Sequence, residues 1–165
     1  MCAKRYWPPI LAALAIIGCA VPEPKREIAP TAFEPIKKAC AGRDGWSDAA
    51  PPSHVYGNTY MVGTCGITAL LITTPKGHFL IDGATDEAAE GIADNIRKLA
   101  FDPKDVRYLL NTHEHLDHAG GLAKLKQITG AQFAVREAAK AAVETGLPQA
   151  DDPQHGLHPA FPGIK

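Results

Sequence analysis

Apolar residues in the middle of the chain follow two different periods. Alternating or continuously apolar stretches are typical of strands, and an apolar residue every third or fourth position is typical of an amphipathic helix. The strand-like segments are 56–62, 67–73, 78–81, 106–111 and 132–135. The helix-like segments are 85–99, 121–129 and 136–145. Because strands and helices alternate along the chain, we predict an α/β fold with helices packed on a sheet.

The first twenty residues have a different character from the rest of the chain. Lys4 and Arg5 are the only charged residues before Glu23, and residues 10–20 are all apolar or small. A basic start followed by a short apolar run is typical of a secretory signal. We therefore expect residues 1–20 to be a signal peptide and the protein to be exported to the periplasm.

The end of this leader allows a second interpretation, and a linker follows it. Residues 16–19 resemble a lipobox, so a lipoprotein signal with a lipid anchor on Cys19 is an alternative to an ordinary signal peptide. Residues 21–39 are predicted to be a linker because prolines favour an extended chain. Four prolines occur there, at positions 22, 24, 30 and 35.

Composition limits the remaining possibilities. The chain has 165 residues, of which 45% are apolar and 21% are charged, as expected for a single folded domain. Its 17 Lys and Arg nearly balance 18 Asp and Glu. A general nucleic-acid binder would need an excess of positive charge, so we expect no nucleic-acid partner. No apolar run reaches the roughly 20 residues of a membrane-spanning helix.

Export also changes the interpretation of the cysteines. Two of the four lie in the leader, which leaves Cys40 and Cys65 in the domain. An even pair in an oxidising compartment is expected to form a disulfide. The alternative is two unrelated buried thiols. A zinc site at either cysteine is not expected, because neither has a second Cys or His at ligand spacing.

Three of the seven histidines fall within six residues, directly after the strand predicted at 106–111. On an extended loop, His113 and His115 would point the same way and could share one metal ion. A turn could then direct Asp117 and His118 toward a second metal ion. Imidazole and carboxylate ligands without thiolate suit zinc, and less selectively iron or manganese. A solvated polar loop is the alternative, but four such groups side by side favour a metal site.

The sequence Thr112-His113-Glu114-His115-Leu116-Asp117-His118 resembles the hallmark motif of the metallo-β-lactamase superfamily. The other segments that resemble its subclass B3 are 56–68, 80–85, 95–97, 117–121 and 151–153. The resemblance covers residues 40–165. It implies the superfamily's αββα sandwich, of which this chain would be roughly the N-terminal half, and it supports the Cys40–Cys65 disulfide.

The resemblance also implies a role for each motif residue. His113 and His115 would bind one zinc ion, and Asp117 and His118 would bind a second. Asp117 would in addition orient the attacking water as the catalytic residue. Asp82, at the end of the strand 78–81, matches the superfamily's aspartate behind the metals and would hold a ligand or backbone group by hydrogen bonding.

The ligand set implied by the resemblance is incomplete in this chain. Each zinc would need one further histidine, from a part of the fold beyond the segments that match. His155 and His158 are the only later histidines, and their Pro- and Gly-rich surroundings indicate ordinary loop residues. We therefore expect a truncated domain, 40–165, that is inactive by itself.

The resemblance implies hydrolysis of the β-lactam ring in the full-length parent, and hence antibiotic resistance. Two zinc ions would activate a water for attack on the ring carbonyl of a β-lactam antibiotic. One alternative is another hydrolase of the same superfamily, such as a lactonase or a thioesterase. The other is a truncated, non-catalytic product that binds metal weakly.

Overall fold

A computed structural model describes residues 33–165 of the chain. The signal peptide predicted for residues 1–20, the lipid anchor at Cys19 and most of the linker predicted for 21–39 lie outside the described residues. Within residues 33–165, no helix is both long enough and apolar enough to cross a bilayer.

The described residues form a six-stranded sheet with helices, as the α/β prediction requires. The strands are β1 (Ser53–Tyr56), β2 (Thr59–Met61), β3 (Leu70–Ile72), β4 (His78–Ile81), β5 (Val106–Leu110) and β6 (Gln132–Ala134). The helices are α1 (Glu34–Ala39), α2 (Ala89–Lys98), α3 (Leu116–Ala119), α4 (Leu122–Thr129) and α5 (Lys140–Thr145). Strands β1 to β4 pair antiparallel in sequence order, and β4, β5 and β6 pair parallel.

Two strand predictions need correction. The segment 56–62 is not one strand, because Gly57, at φ 56°, turns the chain between β1 and β2. Glycine adopts this left-handed conformation without strain, and that permits the tight hairpin. The segment 67–73 is strand only at Leu70–Ile72, since residues before it make a separate turn in which Thr64 N–H donates to the Ile67 carbonyl at 2.9 Å.

One face of the sheet carries the core. Leu71, Leu80 and Leu109 lie in register on adjacent strands and are fully buried. Helices α2 and α4 cover this face, because the two parallel connections β4–α2–β5 and β5–α4–β6 turn in the same sense. Their buried side chains are Ile92, Ile96, Leu122 and Leu125.

The opposite face is apolar but less covered. Phe79 stacks on Tyr108 with ring centroids 5.2 Å apart, and Tyr108 is 41% exposed. Leu70, Ile81 and Leu110 lie in register on the same face and are half-buried. The described residues therefore contain one sheet and one helical layer, which is half of the αββα sandwich.

The segment before β1 is attached to the domain by covalent and polar contacts. The structure contains the disulfide predicted between Cys40 and Cys65. Thr64 Oγ1 donates to the Trp46 carbonyl at 2.9 Å, and the buried Asn95 side chain donates to the Ala50 carbonyl at 2.9 Å. Helix α1 occupies the end of the segment predicted as linker, so residues 34–39 are helical and lead directly into this attached region.

Candidate metal centre

The candidate centre is built where β4 and β5 end side by side. Asp82 follows β4, and its N–H donates to the Leu110 carbonyl at 2.9 Å. Its carboxylate then reaches Thr112, the second residue after β5: Thr112 N–H donates to Oδ1 at 2.7 Å, and the Thr112 hydroxyl donates to Oδ2 at 2.8 Å. Asp82 has φ 65°, a conformation that costs energy for a residue other than glycine and that these contacts hold in place.

The chain after Thr112 turns back over the end of β4. His115 caps α3 with its carbonyl, which accepts from Ala119 N–H at 2.8 Å. Gly83 N–H donates to the His118 carbonyl at 2.8 Å, so the helical turn is tied to the strand end. Gly121 permits this closeness, because a Cβ there would lie only 2.2 Å from the Gly83 carbonyl oxygen.

Three of the four predicted ligands converge in this arrangement. Donor atoms of His113, Asp117 and His118 all lie within 4.8 Å of one another. Oδ1 of Asp117 is buried and has no hydrogen-bond partner among the described residues. A buried carboxylate oxygen without a partner is costly, and a cation bound beside two imidazoles would satisfy it. The donor set therefore fits a zinc ion.

His115 lies beside this group but is held differently. Its ring centroid is 4.7 Å from that of His113, and the rings meet edge to face. It is not part of the three-residue ligand group, and its Nε2 lies 3.0 Å from a carboxylate oxygen of Asp152. The structure thus places His115 between the ligand group and the loop that carries Asp152.

Hydrogen bonding determines which ring nitrogens are free on the other two histidines. The single hydroxyl proton of Thr112 is donated to Asp82, so Thr112 Oγ1 can only accept from His113 Nδ1, 2.9 Å away. His118 Nδ1 lies 2.9 Å from Asp82 Oδ2 and donates to it, because a carboxylate only accepts. Both rings therefore keep Nε2 as the nitrogen available to a metal.

The surroundings of His113 and His118 shift the pKa values of the two rings in opposite directions. Burial, together with the neighbouring rings of His118 and His115, lowers the pKa of His113. The hydrogen bond to Asp82 raises the pKa of His118, and burial opposes it. His113 is thus more readily available as a neutral ligand, whereas a proton competes more strongly with a metal at His118.

The remaining histidines of the later loop make other contacts. His155 Nδ1 donates to the Pro148 carbonyl at 3.0 Å, and the ring of His158 packs edge-on against Trp46.

The contacts that motif analysis did not assign are those of Thr112 and Asp152. Thr112 lies inside the motif, so its position was a usable signal, whereas Asp152 follows His115 by 37 residues with no periodicity linking them.

Comparison with known protein families identifies the same region. Residues 62–163 match the family model described as the metallo-beta-lactamase superfamily. This range includes all four predicted ligands together with Asp82 and Asp152.

Solved structures and a curated relative extend the comparison. The metallo-β-lactamase MIM-1 from Novosphingobium pentaromativorans is 51% identical, with a TM-score of 0.76 over 82% of this chain and 50% of that chain. MEM-A1, a subclass B3 metallo-β-lactamase isolated from a soil metagenome library, is 42% identical, with a TM-score of 0.70 over 73% and 46%. The N-acyl homoserine lactonase AttM of Agrobacterium fabrum is 36% identical over 36% of this chain and 31% of its own length. The chain thus spans about half the length of these two structures and about a third of the lactonase.

Proposed function

Because the chain belongs to the metallo-β-lactamase superfamily and is most like subclass B3, we propose that it carries part of the active site of a zinc-dependent β-lactamase. The observation that supports this most directly is the convergence of His113, Asp117 and His118 around a buried, unpartnered oxygen. The substrate would be a β-lactam antibiotic, which is cleaved at its cyclic amide, and the biological outcome would be antibiotic resistance.

The proposed ligand assignment uses two zinc ions. His113 and His115 would hold one ion, and Asp117 and His118 would hold the other. Asp82 would not bind metal, because its oxygens already accept hydrogen bonds from Thr112 and His118. Its role would be to fix the ring of His118 and the start of the motif loop.

Zinc in such a site would supply a water of lowered pKa and polarise the substrate carbonyl. The protein's part is to position the reacting groups. Asp117 would bind metal through one carboxylate oxygen and accept a hydrogen bond from the attacking water through the other. That bond would orient the water toward the carbonyl carbon of the ring, whose C–N bond would then break as the nitrogen takes up the proton that the attacking water releases.

The ligand count predicts how the chain behaves by itself. A catalytic zinc site typically has three protein ligands, and the assignment above provides two for each ion. We therefore expect the 165-residue chain alone to bind zinc weakly and to hydrolyse β-lactams poorly. Full activity is proposed for the whole protein that contains this chain and supplies the two further histidines.

We further propose that the protein acts in the periplasm. The basic and apolar pattern of residues 1–20 supports export, and the Cys40–Cys65 disulfide is compatible with an oxidising compartment. Lipid attachment at Cys19 remains the alternative form of the same export signal.

The similarity to AttM favours a second candidate, a lactonase that opens an ester ring by the same use of activated water. The two activities differ in the bond that is cleaved, so parallel assays distinguish them. We expect the full-length protein to hydrolyse a chromogenic cephalosporin and to leave an N-acyl homoserine lactone intact. Lactone hydrolysis without cephalosporin hydrolysis would replace the β-lactamase proposal with the lactonase.

The metal site itself is tested on the chain of 165 residues. Zinc affinity is measured by competition with a chromophoric chelator for the unmodified chain and for Asp117→Ala. The matched control is His54→Ala, because His54 bonds the Gly57 carbonyl in the first hairpin and lies outside the ligand group. We expect Asp117→Ala to bind zinc more weakly than the unmodified chain, because the ion held with His118 loses a ligand, and His54→Ala to match the unmodified chain. Equal zinc affinity in both variants would contradict the site.

A further inference from the structure

Asp152 makes a two-oxygen contact with His115 across 37 residues of sequence. Nε2 of His115 lies 3.0 Å from Oδ2 and 3.2 Å from Oδ1 of Asp152. The two side chains are only 21% and 18% exposed. Since an ionised carboxylate can only accept, His115 must carry its proton on Nε2, and in the neutral ring Nδ1 is then the nitrogen with a free lone pair.

This arrangement is opposite to that of the neighbouring histidines. His113 and His118 use Nδ1 to donate to Thr112 and Asp82, and they keep Nε2 free. His115 uses Nε2 to donate and keeps Nδ1 free. Two histidines separated by one residue can approach the same ion with different nitrogens only if each ring is held in its own orientation.

The structure holds Asp152 in place for this contact. Gln154 N–H donates to Asp152 Oδ1 at 2.7 Å, and Asp152 N–H donates to the Gln149 carbonyl at 3.0 Å. The side chain of Gln149 in turn donates to the Ala138 carbonyl at 2.5 Å, which connects the loop to the turn before α5. The carboxylate is therefore anchored independently of the histidine that it contacts.

We propose that Asp152 is a positioning residue that orients His115 so that its Nδ1 faces the zinc ion shared with His113. The proposal rests on the metal site proposed above and adds to it a contact from a separate loop. A carboxylate that accepts from the far nitrogen of a metal-binding histidine fixes the ring and increases its basicity, and loss of such a partner typically lowers metal affinity 10- to 100-fold.

The first measurement needs no metal. In the metal-free chain labelled with 15N-histidine, the Nε2 proton of His115 should give a low-field signal that is protected from exchange by its hydrogen bond. Asp152→Ala should abolish this signal, and Asp152→Asn should retain it in part because the amide oxygen still accepts. Asp151→Ala is the matched control, since it removes the same charge from the adjacent, exposed position. Persistence of the protected signal in Asp152→Ala would overturn the proposal.

The second measurement is zinc affinity by chelator competition on the same variants. We expect a 10- to 100-fold loss for Asp152→Ala, a smaller loss for Asp152→Asn and no change for Asp151→Ala. If Asp152→Ala loses the protected signal but binds zinc like Asp151→Ala, the positioning role is overturned while the metal site stands. If the unmodified chain itself shows no zinc binding, the proposed metal site fails, and the positioning role fails with it.

Discussion

Asp82 and Asp152 each bind one histidine of the cluster, but the protein supports them in different ways. Asp82 ends a central strand, is only 3% exposed, and accepts hydrogen bonds from Thr112 and His118. Asp152 lies in a loop beyond α5 and accepts from His115 and from its own loop. The first contact depends on the sheet, whereas the second depends on the path of a loop. A carboxylate–histidine hydrogen bond can therefore contribute very differently to the free energy of unfolding at the two positions.

The segment before β1 contacts two regions, the strand end that carries Asp82 and the later loop region that carries Asp152. Ser47 Oγ lies 2.7 Å from Thr85 Oγ1, close to the strand end that carries Asp82. The adjacent Trp46 packs edge-on against His158, in the loop region that carries Asp152. The disulfide at Cys40 and Cys65 ties this segment to the domain. Changes in this segment should therefore alter how the strand end with Asp82 and the loop with Asp152 are held relative to each other.

The largest effect is expected from removing the disulfide. Replacing Cys40 and Cys65 together by Ser frees a loop of 25 residues and should lower the free energy of unfolding by about 3–4 kcal/mol on the chain-entropy model. Urea unfolding without reductant measures the loss. The unmodified chain in reductant is the control and should show a similar loss, and a loss below about 1 kcal/mol in both would contradict the expectation.

Asp82→Ala should have the next largest effect. It removes three hydrogen bonds and leaves the N–H of Thr112 without its acceptor, so we expect a loss of about 2–3 kcal/mol in the metal-free chain. Asp94→Ala is the control, because Asp94 is exposed and forms only a surface ion pair with Arg97, worth about 0.5 kcal/mol. Equal losses in the two variants would show that Asp82 does not support the strand end.

Trp46→Ala should have a smaller effect. The edge contact with His158 and the partial burial of the indole suggest a loss of about 1 kcal/mol, measured by the urea midpoint. Tyr56→Ala is the aromatic control, since Tyr56 is 84% exposed on β1. A larger loss for Tyr56→Ala than for Trp46→Ala would mean that the segment is not packed against the later loop.

Asp152→Ala should have the smallest effect on stability, in contrast to its expected effect on zinc affinity. Its carboxylate is bound within a loop, accepts from His115 and the Gln154 N–H, and does not support a strand end as that of Asp82 does. We expect its urea midpoint to match that of Asp151→Ala. A midpoint as low as that of Asp82→Ala would remove the distinction between the two carboxylates.

Several features could be predicted from the sequence because they depend on nearby residues. Periodic apolar positions predicted the α/β class, and the cluster from His113 to His118 identified the candidate ligands. The strand boundaries were less accurate. The turn at Gly57 divides what looked like one alternating strand, since a glycine within an alternating pattern does not by itself show which way the chain turns.

What the sequence determined by itself is therefore the chemistry of the candidate site: imidazoles and a carboxylate, spaced so that a short turn can bring them together. Only the tertiary structure decided how each ring is held. Parallel pairing of β4 and β5 brings Asp82 to Thr112 across 30 residues, and a loop path brings Asp152 to His115 across 37. Contacts at such separations follow from strand pairing and loop packing, which leave no periodic signal in the residues that make them.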